Sequence, residues 1–300
     1  MDETIMSGLY IPVHRYHRHL VWCVKLILFS CITLCSLHAG ALSCGASGPE
    51  RIISLAPSLT RELYDLGAEE AIVGVTHYRP EDAASKEVVG SLTKLNIERI
   101  LALQPDLVLA SKDCNRITDI ERLTRLGLQV SVFQGCESFS CMCAEFIRLG
   151  ELVGKRDIAE VTVRELNAEL SGIQSSIKEN PSLKVFWQIG ADPLITANDE
   201  TFSGEFIRRA ECINIFGDLN VRYPRVHREE VIRRNPDVII IVTHMSTQES
   251  ASIWQDMETV TAVRNKRVHT LPADLVCQPT PVSFVEAYRA VLAILHPGLP

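Results

Sequence analysis

Three cysteines stand close together as Cys136-x4-Cys141-x-Cys143. Thiolates so near one another can hold a soft metal, and a bound zinc with nearby histidines would activate water for hydrolysis. The spacing matches none of the common zinc patterns. In an oxidising compartment such residues form disulfides or sit as inert buried thiols. Cys114 and Cys136 each follow neighbouring predicted strands by a few residues, so a Cys114–Cys136 disulfide fits as well. His77 and His244 offer a second chemistry. Each can be an axial ligand to a metal centre in a cleft, or an ordinary solvated loop histidine. Tyr78, beside His77, can donate a phenolate or pack on a flat ligand, or be a partly buried loop residue. The chain has no GxSxG, HExxH, GxxxxGK or GxGxxG, so no residue is assigned a catalytic role.

These residues must be positioned by an α/β frame. From Glu50 on, short apolar runs alternate with helical patterns. Strands are expected at Arg51 to Leu55, Ala71 to Val75, Leu107 to Ala110 and Gln129 to Phe133. After residue 180 they recur at Lys184 to Ile189, Val238 to Val242 and Val268 to Leu271. Strands alternating with helices imply mostly parallel sheets with crossovers. Ligands on such sheets lie beyond the carboxyl ends of the strands. That selects His77, Tyr78, Ser111, Lys112, Asp113, Phe133 and Gln134 in the first half. In the second half it selects Trp187, Gln188, Tyr223, His244 and Asp274.

Between the halves, Gly154 to Asn180 has apolar residues at Ile158, Val161, Leu166, Leu170, Ile173 and Ile177, close to a helical repeat. Asp157 can cap its start, and Asn180-Pro181 ends it. About twenty-four helical residues make a rod of roughly 36 Å, long for a globular protein. The flanks repeat each other. Glu98 to Leu109 and Glu229 to Ile240 both read as a short helix, a Pro-Asp turn and a buried strand, with a glutamate seven residues before the proline. The expected organisation is therefore a first lobe over 50–153, a connecting helix over 154–180 and a second lobe over 184–300.

Composition is that of an ordinary soluble globular protein. Hydrophobic residues make up 46% and charged residues 22%, and the net charge of −7 argues against nucleic acid as the partner. Residues 1–43 read as a leader: a basic stretch from His14 to His19, then an apolar run from Leu26 to Leu37. Ala39-Gly40-Ala41 fits cleavage by the ordinary signal peptidase. Ala41-Leu42-Ser43-Cys44 also fits a loose lipobox with Cys44 lipidated, and an uncleaved anchor is the third option. All three put the body outside the cytoplasm, in the periplasm, free or membrane-anchored.

Several stretches carry a family likeness: RIISLAPSLTRELYDLGA, IVGVTHYRPE, VGSLTKLNIERILALQPDLVLAS, FWQIGADPLITAN, YPRVHREEVIRRNPDVIII and VHTLPAD. From about Arg51 to Pro297 the chain resembles the substrate-binding proteins of bacterial ABC importers for cobalamin, ferric siderophores and haem, cobalamin binders most of all. The resemblance implies two α/β lobes with mostly parallel sheets, joined by a single long backbone helix. It implies a monomer with no cofactor of its own, whose ligand is a corrinoid, with haem or a ferric chelate as the alternatives. Tyr78, Tyr223 and Asp274 match residues that wall the family's cleft, Tyr223 standing where a tryptophan is usual. Leu92 replaces another aromatic. The glutamates matching Glu98 and Glu229 dock on arginines of the importer's two membrane subunits.

Overall fold

A computed structural model of the chain describes residues 48–177, 182–243, 251–277 and 279–298. The expected leader, Cys44, the Asn180-Pro181 helix stop and His244 lie outside the described residues. Among those described, no helix is long and apolar enough to cross a membrane.

The first sheet is built from β1 (Ile52–Ser54), β2 (Ile72–Val75), β3 (Leu107–Ser111) and β4 (Val130–Phe133). Its order is β2-β1-β3-β4, with every pair parallel. Helices α1 (Pro57–Asp65), α2 (Ile97–Ala102) and α3 (Ile117–Arg125) make the crossovers. Both β1 and β3 are wholly buried, which is why they read as unbroken apolar runs rather than alternating ones.

The second sheet contains β5 (Lys184–Ala191), β6 (Leu194–Thr196), β7 (Ile213–Asn214), β8 (Val238–Thr243) and β9 (Val268–Pro272). Its order is β6-β5-β8-β9, with β7 also beside β5, and only the β5–β6 pair is antiparallel. Around it lie α6 (Phe202–Arg209) and α7 (Arg228–Arg234), both preceding β8, and α8 (Thr261–Arg264), α9 (Ala273–Val276) and α10 (Pro281–Leu295).

The repeat in the sequence is a repeat in the structure. At each Pro-Asp turn the aspartate holds the start of the lobe's first strand. Asp106 accepts from the backbone N–H of Glu50 at 2.8 Å and of Arg51 at 3.1 Å. Asp237 accepts from the N–H of Lys184 at 2.9 Å. Both also donate their own N–H back, Asp106 to the Arg51 carbonyl and Asp237 to that of Lys184. The residue before each proline is left-handed, Gln104 at φ 45° and Asn235 at φ 48°. An αL residue followed by proline stops a helix sharply, because proline cannot continue it.

Two helices link the sheets. α4 (Phe139–Leu152) is capped by the Ser138 hydroxyl, and α5 (Arg156–Ser176) follows it after a turn in which Gly154 has φ 70°. The connecting helix is thus shorter at both ends than the expected Gly154 to Asn180: 21 residues, a rod of about 31 Å. Its inward stripe is Ala159, Val163, Leu166, Leu170, Ile173 and Ile177, spaced by four and three in turn. Ile158 and Val161, expected to be inside, are 42% and 41% exposed because they fall off that stripe. Ala159 belongs to the first lobe's core and Leu170 and Ile177 to the second's, while Val163 touches both. α4 does the same in reverse: Phe139, Met142 and Cys143 pack in the second core, Phe146, Leu149 and Val153 in the first.

Two outcomes follow from this frame. A pair of helices anchored in both cores resists bending, so ligand should move the lobes by a rocking of a few degrees only. X-ray scattering curves with and without ligand should nearly superimpose, and a marked fall in radius of gyration would contradict this. Asp106→Ala and Asp237→Ala should each lower stability by about 1–2 kcal/mol in urea unfolding, since each removes backbone hydrogen bonds to a carboxylate. Lying in separate lobes, the two losses should add.

Candidate functional site

A cavity of 350 Å³ opens where the carboxyl ends of β3 and β4 face the second lobe. Its first-lobe wall comes from Ser111 and Asp113 after β3, and Phe133, Gln134 and Gly135 at the end of β4. Ser58, Leu59 and Glu62 of α1 and Met142 and Glu145 of α4 also line it. The second lobe contributes Phe202, Arg222, Tyr223 and Pro279. The wall is braced from behind: the Arg148 guanidinium lies 4.0 Å over the Phe133 ring, donates to the Val132 carbonyl at 2.8 Å and pairs with Glu145 at 2.9 Å. Gly135 is required by a close approach, since a Cβ there would sit 1.9 Å from an Asp113 carboxylate oxygen.

One ion pair joins the lobes at this cavity, and other polar contacts lie away from its lining. Arg222 forms an ion pair with Glu137. The Phe139 N–H donates to Glu205 at 2.9 Å, and Glu205 also holds Arg209 at 2.8 Å. The Thr280 hydroxyl donates to Asp65 at 3.3 Å. Burial raises the Asp65 carboxyl to about 6, with the Thr280 hydrogen bond acting the other way. Glu62 is the most perturbed: burial first, then the like charges of Asp65 and Glu145, push it up to about 8.

The expected site residues divide. Ser111, Asp113, Phe133, Gln134 and Tyr223 line the cavity. Tyr78 and His77 lie exposed in the loop after β2, and Asp274 is exposed in α9; none of the three is among its lining residues. Trp187 needs correction. It was expected at the cleft but is fully buried in the second core, stacked on Phe206 with ring centroids 6.1 Å apart. β5 is an interior strand covered on both faces, so Phe186 packs to one side and Trp187 to the other. Gln188 is buried as well and accepts from the Trp254 indole at 2.7 Å.

The cysteines need correction too. The disulfide joins Cys136 to Cys141, with Cα atoms 5.5 Å apart, and Cys114 is free. The turn capped by Ser138 folds Cys136 back onto the first turn of α4, closer than any partner on β3's loop. Cys143 is buried and free, its thiol pushed by burial up to about 12. With two of its three thiols bonded to each other, the cluster does not offer three thiolates to a metal, and the hydrolase alternative loses those ligands.

Sequence reasoning missed Glu62, Glu145, Phe202 and Arg222. For Glu62 the signal was present: it falls within the apolar arc of Leu59, Leu63 and Leu66, where a charge is out of place. The others reach the cavity only through tertiary packing.

Residues 52–275 match the protein family described as periplasmic binding protein. A vitamin B12-binding protein of Pectobacterium atrosepticum is 31% identical over 240 residues, 77% of this chain and 85% of that one. Another, from Pectobacterium carotovorum, is 33% identical over 69% of this chain and 77% of its own length. Among solved structures, the periplasmic vitamin B12 binding protein BtuF of Vibrio cholerae superposes with a TM-score of 0.70 at 28% identity, covering 82% of this chain and 96% of that one. The periplasmic haem binding protein HutB of Vibrio cholerae shares the fold, with a TM-score of 0.74 at 18% identity over 82% and 99% of the two chains. From two sheets linked by shared helices, a cleft at the strand ends and a family match spanning both lobes, it follows that the chain belongs to the periplasmic binding protein family.

Proposed function

We propose that this protein is an extracytoplasmic receptor that captures cobalamin or a closely related corrinoid in the cleft between its lobes and delivers it to an ABC importer. The observation that carries the ligand is the likeness to vitamin B12-binding proteins over both lobes at 31% and 33% identity. The cleft supports it physically. An exposed aromatic face can stack on a flat partner. Tyr78 and Tyr223, on different lobes, are 63% and 54% exposed. A cavity of 350 Å³ is at the low end for a small-molecule site. It takes one edge of a large ring, while the rest lies on the open walls, with His77, Tyr78 and Asp274 as their outer residues.

The partner is the pair of membrane subunits of the importer. Glu98 and Glu229 are each the second residue of their helix, α2 and α7. Both are exposed, and neither is in an ion pair among the described residues. The contrast is Glu230, held well down at about 2 by hydrogen bonds from Arg233 and Arg234. Two free carboxylates at equivalent places on two related lobes suit a partner with two-fold symmetry.

Each half of the proposal has its own measurement. Titrating cyanocobalamin, with haemin and a ferric siderophore alongside, should give binding to the corrinoid that Tyr223→Ala and Tyr78→Ala each weaken about tenfold or more, the usual cost of losing an aromatic anchor. Wild-type affinity in both variants would remove the cleft assignment. The double variant Glu98→Lys with Glu229→Lys should bind ligand as wild type does. It should lose association with the transporter, because like charges facing each other cost several kcal/mol. Normal docking and uptake by that variant would return both glutamates to ordinary helix-start residues.

A further inference from the structure

Helix α1 buries Leu59, Glu62 and Leu63 on one side. A carboxylate in such a place is costly unless something pairs with it. Glu62 is 6% exposed, and its Oε2 is buried with no hydrogen-bond partner among the described residues. The charged groups facing it are both acidic: Asp65 on its own helix, and Glu145 on α4, which Arg148 already engages. The remaining titratable neighbour is the Cys143 thiol of α4, itself shifted out of the neutral range. Among the described residues, nothing therefore stabilises an ionised Glu62. At neutral pH the side chain is an uncharged acid that lines the cavity, and the oxygen that is not sealed can serve there as donor or acceptor according to which oxygen carries the proton.

The rest of the cavity has the same bias. Asp113 and Glu137 line it, and Arg222, the one arginine lining it among the described residues, is taken by Glu137. A carboxylate on an incoming ligand finds no free guanidinium there. A primary carboxamide finds a match: Oε2 of Glu62 is sealed in the core, and the other carboxyl oxygen can donate its O–H to the amide oxygen or, as a carbonyl, accept the amide N–H.

We propose that Glu62 determines specificity in this cleft: its unpartnered carboxyl pairs with an uncharged carboxamide on the ligand's edge and disfavours a ligand that presents a carboxylate there. The inference rests on the corrinoid reading above, because a corrinoid is fringed with carboxamide arms where haem carries propionates. Glu62 acts by matching donor to acceptor, and no bond is made or broken.

The test uses cyanocobalamin and its b-, d- and e-monocarboxylic acids, in each of which one propionamide has become a propionate. Calorimetric titration of wild type, Glu62→Gln and Tyr223→Ala runs from pH 7 to 9.5, above the titration of Asp65 at about 6. Wild type should bind at least one monoacid about tenfold more weakly than cyanocobalamin, as a site built to hydrogen-bond one group discriminates against its replacement. That gap should widen as pH rises through about 8, where Glu62 loses its proton and repels the propionate. Glu62→Gln does not ionise, so its gap should be small and independent of pH. Tyr223→Ala should weaken all four ligands alike and leave the gap intact.

A ligand-free measurement guards against a misfolded variant. Because folded Glu62 keeps a proton that the unfolded chain releases near 4.5, the wild-type melting temperature should fall relative to Glu62→Gln between pH 5 and 8. A constant difference would overturn the proposal. So would equal binding of all four ligands by wild type, or an unchanged gap and pH profile in Glu62→Gln. If cyanocobalamin binds and Tyr223→Ala weakens it while no gap appears, the corrinoid reading stands and the role of Glu62 falls. If wild type does not bind cyanocobalamin at all, both fall together.

Discussion

Everything in this molecule depends on how closely α4 and α5 cross. At the crossing Gly150 faces Ala159, and a Cβ on Gly150 would lie 2.7 Å from that of Ala159. No larger pair fits without wedging the helices apart. Each helix carries side chains into both cores, so a wedge there would disturb both sheets at once. The relative position of the lobes is thus fixed by side-chain packing, which is dense and resists deformation, rather than by the connecting loops. A cleft held that way is shaped before any ligand arrives, and binding need not supply the free energy of forming it.

The two lobes meet in two different ways. At the back they share apolar side chains through α4 and α5. Elsewhere they meet through polar groups: Arg222 with Glu137 at the cavity, and Thr280 with Asp65 beside a second one. Apolar contacts tolerate small rotations, while hydrogen bonds are lost beyond a few tenths of an ångström. The back therefore serves as a pivot and the front as a set of discrete contacts that water or ligand can replace. Glu62 and Glu145 line the cavity from α1 and α4, and Arg222 and Tyr223 from the second lobe.

Much of this was legible before the fold was known, for identifiable reasons. The buried strands announce themselves as apolar runs, and the Pro-Asp repeat identifies equivalent parts of two lobes because Asp106 and Asp237 do the same job in each. The helix between the lobes was legible as a helix but not in its face. Ile158 and Val161 are as apolar as Leu166, and only the packing against α4 shows that Ala159 is the residue inside. Trp187 was misjudged because strand position alone does not say which face is covered, and on β5 both are. Glu62 was there to be read as a charge in an apolar arc. Its meaning needed the cavity, whose walls come from segments far apart in sequence.

The Cys136–Cys141 bridge has a consequence for when the cleft is finished. Cys136 lines the cavity, and the bridge closes a loop that also contains the Ser138 cap of α4. Thiols stay reduced in the cytosol and pair in the oxidising space beyond it. A chain still inside the cell would carry this wall open, its cap free to fray. In an oxidising space the bridge holds this wall and its cap together, so the finish of the cleft is tied to the redox state around the chain.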